Sequence, residues 1–307
     1  MNRRDFLNAS AIVGAGLFTG DLLIAADPKR VPLKKAVKFG MIGAGKTVQE
    51  KFELIKKLGF QGVEIDSPSG LNLKEANEAQ KATGIKIHGV VDSVHWRDTL
   101  SSPDEKVRAK GLAALIQALE DAKTVGADTV LLVPGVVNKD VTYEDCYKRS
   151  QEEVKKAIPT AEKLGVKIAI ETVWNNFITK PEQMISYVDD LKSPFVGTYF
   201  DCSNMVKYGV SSGDWIRKLG KRLLKFDFKG YSLTKAKDAK NDWKGFDAKI
   251  GEGDENWPDV LNALAEVGYA GGWATAEVGG GGEAVLKDIA ERMDKILELK
   301  PATPSKG

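Results

Sequence analysis

Four acidic residues stand at or near the ends of four successive apolar segments in the C-terminal half of the chain: Glu171, Asp201, Asp227 and Glu277. Each segment reads as a short strand, and side chains alternate between the two faces of a strand. One acid at a strand end is usually a solvated terminus. Four on successive strands predict one shared site instead, because close, partly desolvated carboxylates repel one another unless a cation lies between them.

The chemistry that suits such a set is the binding of a hard divalent cation. Mn²⁺, Mg²⁺ and Ca²⁺ prefer carboxylate oxygens as ligands, whereas other metals favour thiolate or imidazole. We therefore predict one divalent metal ion, Mn²⁺ or Mg²⁺, held by these four residues. The stretch "LLKFDFKGY" also places Lys225, Asp227 and Lys229 on one face of a strand. We expect Lys229 to be a counter-charge near the metal that also hydrogen-bonds a substrate oxygen.

The elements that would position these acids alternate between short apolar strands and longer amphipathic helices. This alternation predicts a single (β/α)8 TIM barrel over residues 36–299, with its site at the carboxyl ends of the strands. An open doubly wound sheet is the rival fold, but the glycines of "GMIGAGKTVQ" do not form the G-x-G-x-x-G fingerprint. The predicted strands cover residues 38–43, 62–66, 85–91, 129–134, 167–173, 196–201, 223–231 and 272–278.

The composition is that of a soluble globular protein, with 42% hydrophobic and 29% charged residues among 307. Basic and acidic residues are spread evenly and give a net charge of +2, so no nucleic-acid partner is expected. The two cysteines, Cys146 and Cys202, fall in different predicted elements, which argues against a disulfide framework. Whether the protein forms a homo-oligomer is left open.

The N-terminus has the pattern of a targeting segment. Twin arginines in "NRRDFLN" precede a short, mostly apolar run, which predicts a twin-arginine-type export signal over residues 1–26 and a periplasmic location. The run is Gly-rich and interrupted by Asp21, so we expect no stable membrane insertion once the signal is removed. Residues 300–307 are expected to form a short tail.

Several longer stretches carry a family resemblance. They are "AIETVWNNF", "YFDCSN", "KFDFKGYS", "GEGDENWPDVLNAL" and "ATAEVGGGG". Through them, residues 36–297 resemble the sugar phosphate isomerase/epimerase proteins, which have a xylose-isomerase-like TIM barrel. That group includes ketose 3-epimerases, hydroxypyruvate isomerases, inosose dehydratases and the endonuclease IV branch. The three-zinc centre of the endonuclease IV branch needs several histidines, and this chain has only two, so DNA repair is not expected.

The resemblance extends to the four acids, with departures. In the epimerases, Glu, Asp, His and Glu from four successive strands hold one divalent metal, and they correspond to Glu171, Asp201, Asp227 and Glu277. The family's "H-x-K-D" is here "D-F-K-G", so Asp227 replaces the histidine and Gly230 replaces the aspartate. Another family histidine is replaced by Asn204. These changes keep the capacity to bind a metal but alter charge, metal preference and substrate contacts.

The resemblance implies a divalent-metal-dependent isomerase or epimerase acting on a carbonyl sugar or sugar derivative. In the resembled epimerases the first and last glutamates lie on opposite faces of the substrate, which implies that Glu171 and Glu277 are the catalytic pair that transfers a proton through an enediolate. Two alternatives stay open. One is a metal-dependent lyase or hydrolase of oxidised (3-keto) sugars or glycosides. The other is a non-catalytic carbohydrate-binding barrel.

Further residues near the predicted strand ends are candidates for binding a small sugar. Trp174 and Asn175 directly follow the first of the four acids and suit stacking on a sugar and hydrogen bonding to it; a loop packed on itself is the alternative. His88 is expected to face the barrel interior, where a purely structural role is equally open, and His95 is expected to wall the pocket. The glycine run 279–282 is expected to form a flexible loop. The complete set is Glu64, His88, His95, Trp174, Asn175, Asn204 and Lys229.

Overall fold

Eight parallel strands close into a barrel in sequence order, with helices between consecutive strands. The computed structural model describes residues 31–299, so the predicted export signal and the 300–307 tail lie outside the described part. The predicted single (β/α)8 barrel is confirmed. The strands are β1 (Lys34–Lys38), β2 (Gly62–Ser67), β3 (Lys86–Asp92), β4 (Thr129–Leu132), β5 (Lys167–Glu171), β6 (Val196–Asp201), β7 (Leu223–Phe228) and β8 (Trp273–Ala276).

The helices form the outer layer, and their ends follow local sequence signals. Thr47 and Glu50 form a capping box at the start of the first helix, and Gly84, Gly126 and Gly165 end the next three in left-handed backbone conformations. Within residues 31–299, no helix is both long and apolar enough to cross a bilayer. The helices are α1 (Val48–Lys57), α2 (Leu73–Thr83), α3 (Glu105–Val125), α4 (Tyr143–Leu164), α5 (Pro181–Asp190), α6 (Ser212–Leu219), α7 (Leu233–Ala239), α8 (Trp257–Glu266) and α9 (Glu283–Leu297).

The strands bury one face against the helices and turn the other towards the barrel axis. On β5, Ile168 and Ile170 belong to the large core under the helices. Ala169 lies between them in sequence and packs instead with Leu131 and Tyr199 inside the barrel. Residues two positions apart on a strand lie on the same side of it. Glu171 and Asp201 follow the inward-facing Ala169 and Tyr199 by two positions, so they point into the mouth of the barrel.

The position of the first strand corrects the prediction. The strand lies at Lys34–Lys38, not at residues 38–43, and the barrel therefore begins before residue 36. A 3-10 turn, Phe39–Met41, follows it. The apolar character of that turn serves packing against α1, where the rings of Phe39 and Phe52 meet edge to face at 6.4 Å. The consequence is that Lys38 ends β1 at the mouth of the barrel.

The glycine run after β8 is tied to the turn after β1. The Gly281 N–H donates to the Met41 carbonyl (3.0 Å), and the Gly43 N–H donates to the Gly281 carbonyl (2.8 Å). A Cβ on Gly43 would come within 2.8 Å of the Gly281 carbonyl group, and a Cβ on Gly280 within 2.2 Å of the Met41 oxygen. Glycine is needed here because two backbones touch. The predicted flexible loop is thus held by backbone hydrogen bonds in its middle.

Candidate active site

The four predicted acids converge at the mouth of the barrel. Glu171, Asp201, Asp227 and Glu277 each present a carboxylate oxygen, and the four oxygens lie within 4.8 Å of one another. The strand register brings this about, because Asp201 is the direct neighbour of Asp227 across β6 and β7. The Glu277 N–H donates to the Phe228 carbonyl (3.0 Å) and fixes the last acid just beyond β8.

Lys229 supplies one positive charge to the cluster. Its ammonium group lies 2.9 Å from Oδ2 of Asp201 and 2.8 Å from Oε2 of Glu277. Burial alone would lower the pKa of Lys229, but these two carboxylates outweigh burial and raise it. Lys229 therefore stays protonated, in the place and with the charge expected of a counter-ion to the acids.

Lys38 supplies a second positive charge, which the sequence reasoning missed. Its ammonium group lies 2.6 Å from Oε2 of Glu64 and 3.2 Å from Oδ2 of Asp227, and 4.8 Å from the ring centroid of Tyr199. Burial opposes protonation, yet the surrounding carboxylates raise the pKa of Lys38 well above its usual value. The available signal was a lysine at the end of "KKAVK", directly before a glycine-rich turn.

The two glutamates of the cluster differ in their affinity for protons. Burial raises the pKa of Glu171 well above its usual value, and the charge of Glu277 raises it further. Burial also raises the pKa of Glu277, but the ammonium groups of Lys229 and Lys38 outweigh it and lower the value to about 2. Burial raises the pKa of both aspartates of the cluster. The cluster thus combines one carboxylate that stays ionised with three that resist ionisation in the absence of further positive charge.

The residues fit a divalent cation. Oδ2 of Asp201 and Oδ2 of Asp227 are fully buried, and an ammonium group lies beside each of them, Lys229 at 2.9 Å and Lys38 at 3.2 Å. These two ammonium groups serve four carboxylates whose oxygens lie within 4.8 Å of one another, and a further cation among them would offset the remaining repulsion. The donor set consists only of carboxylate oxygens, which suits Mn²⁺ or Mg²⁺.

A cavity of about 1020 Å³ opens above the acids. Four of the predicted substrate-binding residues line it: His95, Trp174, Asn204 and Lys229. Nδ1 of His95 accepts a hydrogen bond from the Val133 N–H (3.2 Å), which leaves Nε2–H as the donor of the neutral ring. Burial lowers the pKa of His95 to about 4, so this histidine is a neutral hydrogen-bonding group at the cavity wall.

Three other predicted substrate contacts lie elsewhere. Asn175 is buried, and its amide donates to the Gly135 carbonyl (2.8 Å), so it holds a loop together. Glu64 lies beneath the cluster and accepts hydrogen bonds from Lys38 (2.6 Å) and Tyr199 (3.0 Å). The third, His88, stacks on Trp273 inside the barrel with the ring centroids 4.4 Å apart. None of the three residues lines the cavity.

A buried glutamate outside the cluster supports its geometry and was also missed. Oε1 of Glu255 accepts hydrogen bonds from the Ser203 hydroxyl (2.9 Å) and the Tyr231 N–H (2.5 Å). The Ser203 N–H in turn donates to Oδ1 of Asp201 (2.8 Å). Glu255 therefore fixes the loop that orients Asp201. The stretch "GEGDENW" gives no local sign that this particular acid is buried.

Comparison with known proteins gives the same architecture. The sequence profile of the family described as "Xylose isomerase-like TIM barrel" matches residues 52–296. Among curated proteins, L-ribulose-5-phosphate 3-epimerase UlaE of Escherichia coli K12 is 26% identical over 188 residues. That alignment covers 56% of this chain and 66% of the relative, so the match spans slightly less than two thirds of the relative's length.

Solved structures extend the likeness over most of the barrel. The 3-keto-D-glucoside 4-epimerase YcjR from E. coli superposes with a TM-score of 0.70 at 16% identity, covering 86% of this chain and 98% of the other. D-psicose 3-epimerase from Clostridium cellulolyticum H10 superposes with a TM-score of 0.69 at 20% identity, covering 87% and 100%. At these identities the superpositions establish the shared fold.

Proposed function

The chain belongs to the xylose isomerase-like TIM barrel family, and from that membership and its acidic cluster we propose that it is a divalent-metal-dependent isomerase or epimerase of a carbonyl sugar. The observation that carries the proposal is the convergence of four carboxylate oxygens within 4.8 Å at the carboxyl ends of the strands. The similar proteins named above are sugar epimerases by name, which supports the same reaction class here.

The metal ion and the glutamates would have different roles in the reaction. A divalent ion held by Glu171, Asp201, Asp227 and Glu277 would act as a Lewis acid and polarise the carbonyl of a bound sugar. Of these four acids, Glu171 and Glu277 line the cavity, so they are the carboxyl groups that can reach a substrate carbon. One of them takes the proton from the carbon beside the carbonyl, and the electrons of that C–H bond form the enediolate.

The second glutamate completes the reaction by returning a proton. Delivery to the opposite face of the same carbon gives an epimer, and delivery to the former carbonyl carbon gives the aldose–ketose isomer. The Lys229 ammonium, which contacts Glu277 at 2.8 Å, is placed to hydrogen-bond a substrate oxygen as its charge grows. His95 offers a neutral donor at the same wall.

A lyase is the second candidate. If the enediolate expels a substituent from the next carbon, the same first step leads to elimination. The cavity supports this candidate, because its volume of about 1020 Å³ leaves room for a leaving group beyond one sugar ring. Incubation with Mn²⁺ and a panel of ketoses and 3-keto-glycosides in D₂O separates the two. Deuterium beside the carbonyl of an intact sugar indicates the isomerase or epimerase, and release of the substituent indicates the lyase.

We further propose that the protein is exported to the periplasm by the twin-arginine route, as the pattern of residues 1–26 predicts. Folded export would allow the metal to be loaded in the cytoplasm, away from copper and zinc, which bind more tightly than manganese. Replacing Arg3 and Arg4 with lysine should retain the precursor inside the cell. Unchanged export of that variant would rule out this route.

A further inference from the structure

The cavity above the acids continues outwards into a second region. One wall is the segment 243–250, which follows α7, and the other is the first half of α9. We call this region the outer cavity, lined by Trp243, Phe246, Val285 and Ile289. The whole cavity, at about 1020 Å³, reaches the upper end of the roughly 300–1,000 Å³ that enclose drug-sized ligands. A monosaccharide placed on the acids would leave the outer cavity unfilled.

The outer cavity has an aromatic wall that begins at the acidic cluster. The ammonium group of Lys229 lies 5.3 Å from the ring centroid of Phe246. The Phe246 ring packs on Trp174 at 4.8 Å, and Trp174 packs on Trp243 at 4.6 Å. The outermost ring, Trp243, is 65% exposed. The rings are tilted by 46° and 53° to one another, and together they give the cavity an aromatic wall that runs from the reacting centre to the solvent.

Exposed apolar side chains concentrate at this cavity. In the part of the chain that the structure describes, five large apolar residues are exposed. Three of them, Trp96, Trp243 and Val285, line the cavity. Exposed apolar surface gathered around a concave site is typical of a ligand-binding surface.

The charged residues of the cavity argue against an anionic ligand. Its cationic side chains within residues 31–299 are Lys229, Lys249 and Arg292, and each is already paired with a carboxylate. Asp288 lies 3.1 Å from Lys249 and 3.0 Å from Arg292, and Glu252 lies 2.9 Å from Arg292. Four carboxylates line the same cavity: Glu171, Asp247, Glu277 and Asp288. Phosphate groups are usually bound by arginine or lysine donors, and in this lining a carboxylate competes for each of the three cationic side chains.

We propose that the outer cavity is a subsite for an uncharged, apolar or aromatic substituent attached to the sugar, so that the substrate is a glycoside and not a sugar phosphate. This inference rests on the proposed function for the position of the sugar ring. The anomeric carbon of a glycoside is fixed as an acetal. The carbonyl that the acids require must therefore stand on another ring carbon, and a reaction that oxidises a ring hydroxyl to a ketone must supply the substrate.

The test compares the binding of matched, unreactive probes by isothermal titration calorimetry in the presence of Mn²⁺. Phenyl β-D-glucoside should bind about tenfold or more tightly than methyl β-D-glucoside, because its ring can stack in the outer cavity. Trp243→Ala should remove most of this preference, measured as the ratio of the two affinities. Leu233→Ala is the matched control, since Leu233 is also exposed, at 47%, but lies outside the cavity. Val285→Glu tests the opposite wall and should also remove the preference.

The outcomes separate this inference from the proposed function. Equal binding of the two probes, or a preference that survives both Trp243→Ala and Val285→Glu, overturns the subsite. Glucose 6-phosphate binding tenfold more tightly than glucose overturns the uncharged substrate. A third outcome is that the parent shows no phenyl preference and forms an oligomer that Trp243→Ala disrupts. This outcome would assign the surface around Trp243 to contact with a second copy of the chain and would overturn the subsite. A phenyl preference without solvent exchange into any carbonyl sugar supports the subsite while the proposed reaction fails.

Discussion

The ammonium group of Lys38 lies 3.2 Å from Oδ2 of Asp227, at the position where the resembled epimerases carry a histidine. A neutral histidine and an aspartate paired with a lysine contribute the same net charge. Lys38 ends β1 and reaches Asp227 across the mouth of the barrel, where it also contacts Glu64 at 2.6 Å. Because Lys38 is shared between Asp227 and Glu64, it offsets part of the negative charge that the fourth carboxylate brings to the buried site.

Removing that ammonium group should destabilise the fold. Lys38→Met leaves Asp227 and Glu64 buried without their counter-charge, which should lower the free energy of unfolding by about 3–5 kcal/mol. Urea denaturation at neutral pH measures this. Lys57→Met is the matched control, because its partner Glu283 is exposed and the pair lies at the surface; the expected loss is about 0–1 kcal/mol. Adding Asp227→His to Lys38→Met should recover much of the stability, and equal effects of the two single lysine variants would contradict the pairing.

Asp201 should be needed for metal binding. Its Oδ2 is buried beside the Lys229 ammonium group at 2.9 Å, and its Oδ1 is held by the N–H groups of Ser203 (2.8 Å) and Asn204 (2.9 Å). Asp201→Ala removes the oriented ligand, so Mn²⁺ affinity measured by calorimetry should fall at least tenfold. Asp214→Ala, at an exposed acid, should bind Mn²⁺ like the parent. Full metal binding by Asp201→Ala would remove this residue from the ligand set.

The glycine run beside Glu277 should respond unequally to alanine. A Cβ on Gly280 would meet the Met41 backbone at 2.2 Å, whereas a Cβ on Gly279 or Gly282 meets nothing within 4 Å. Gly280→Ala should therefore lower the free energy of unfolding by about 1–3 kcal/mol, and the alanine variants of the other two should change it by roughly 0.5 kcal/mol or less. Thermal unfolding of the three variants is the measurement. Equal tolerance at all three would mean that the loop does not rest on the turn after β1.

Glu255 should make stability depend on pH. Burial raises its pKa to about 7, above the value of about 4.3 in an unfolded chain. The folded protein therefore binds this proton more tightly, so the stabilising contribution is complete below about pH 4 and is lost as the pH rises to about 7. The glutamine in Glu255→Gln stays neutral. Between these pH values the variant should therefore lose less free energy of unfolding than the parent does, by roughly 1–3 kcal/mol.

Denaturation curves at several pH values test this expectation. Glu120→Gln, on an exposed part of α3, controls for changing a glutamate elsewhere. Asp92, whose burial also raises its pKa to about 7, is present in all three proteins and cancels in the comparison. Parallel pH profiles for the parent and Glu255→Gln would show that Glu255 does not titrate in this range.

The sequence carried enough information to predict the barrel and the convergence of the four acids. Seven strands have β-branched or aromatic runs, and closure of a parallel barrel then brings their carboxyl ends together. The first strand was misplaced because "KKAVK" offers only two apolar residues, whereas the following "FGMI" is apolar for packing on α1. With the strand predicted to begin at residue 38, Lys38 would lie at its amino end, whereas in the structure Lys38 ends β1 at the mouth of the barrel. The predicted site therefore did not include the Lys38 ammonium group.

The substrate contacts were harder to predict for a different reason. Trp174 and Asn175 are adjacent, yet Trp174 lines the cavity while Asn175 is turned into the loop by Gly135. His88 was expected inside the barrel and lies there, but an irregularity between β2 and β3 accompanies its position next to Trp273, outside the cavity lining. Contacts between residues distant in sequence decide these orientations, and local patterns do not encode them.

The rate at which solvent deuterium enters a carbonyl sugar tests the central claim most directly. With Mn²⁺ present, the parent and Glu120→Gln should exchange the hydrogen beside the carbonyl. Glu171→Gln and Glu277→Gln should each lower that rate on the order of 10² or more while still binding measurable Mn²⁺, because a Gln amide keeps an oxygen but cannot accept the proton. Exchange at the parental rate in either glutamine variant would contradict the two-glutamate mechanism. If no sugar exchanges with the parent and all the variants bind sugars equally, the barrel is a binding protein.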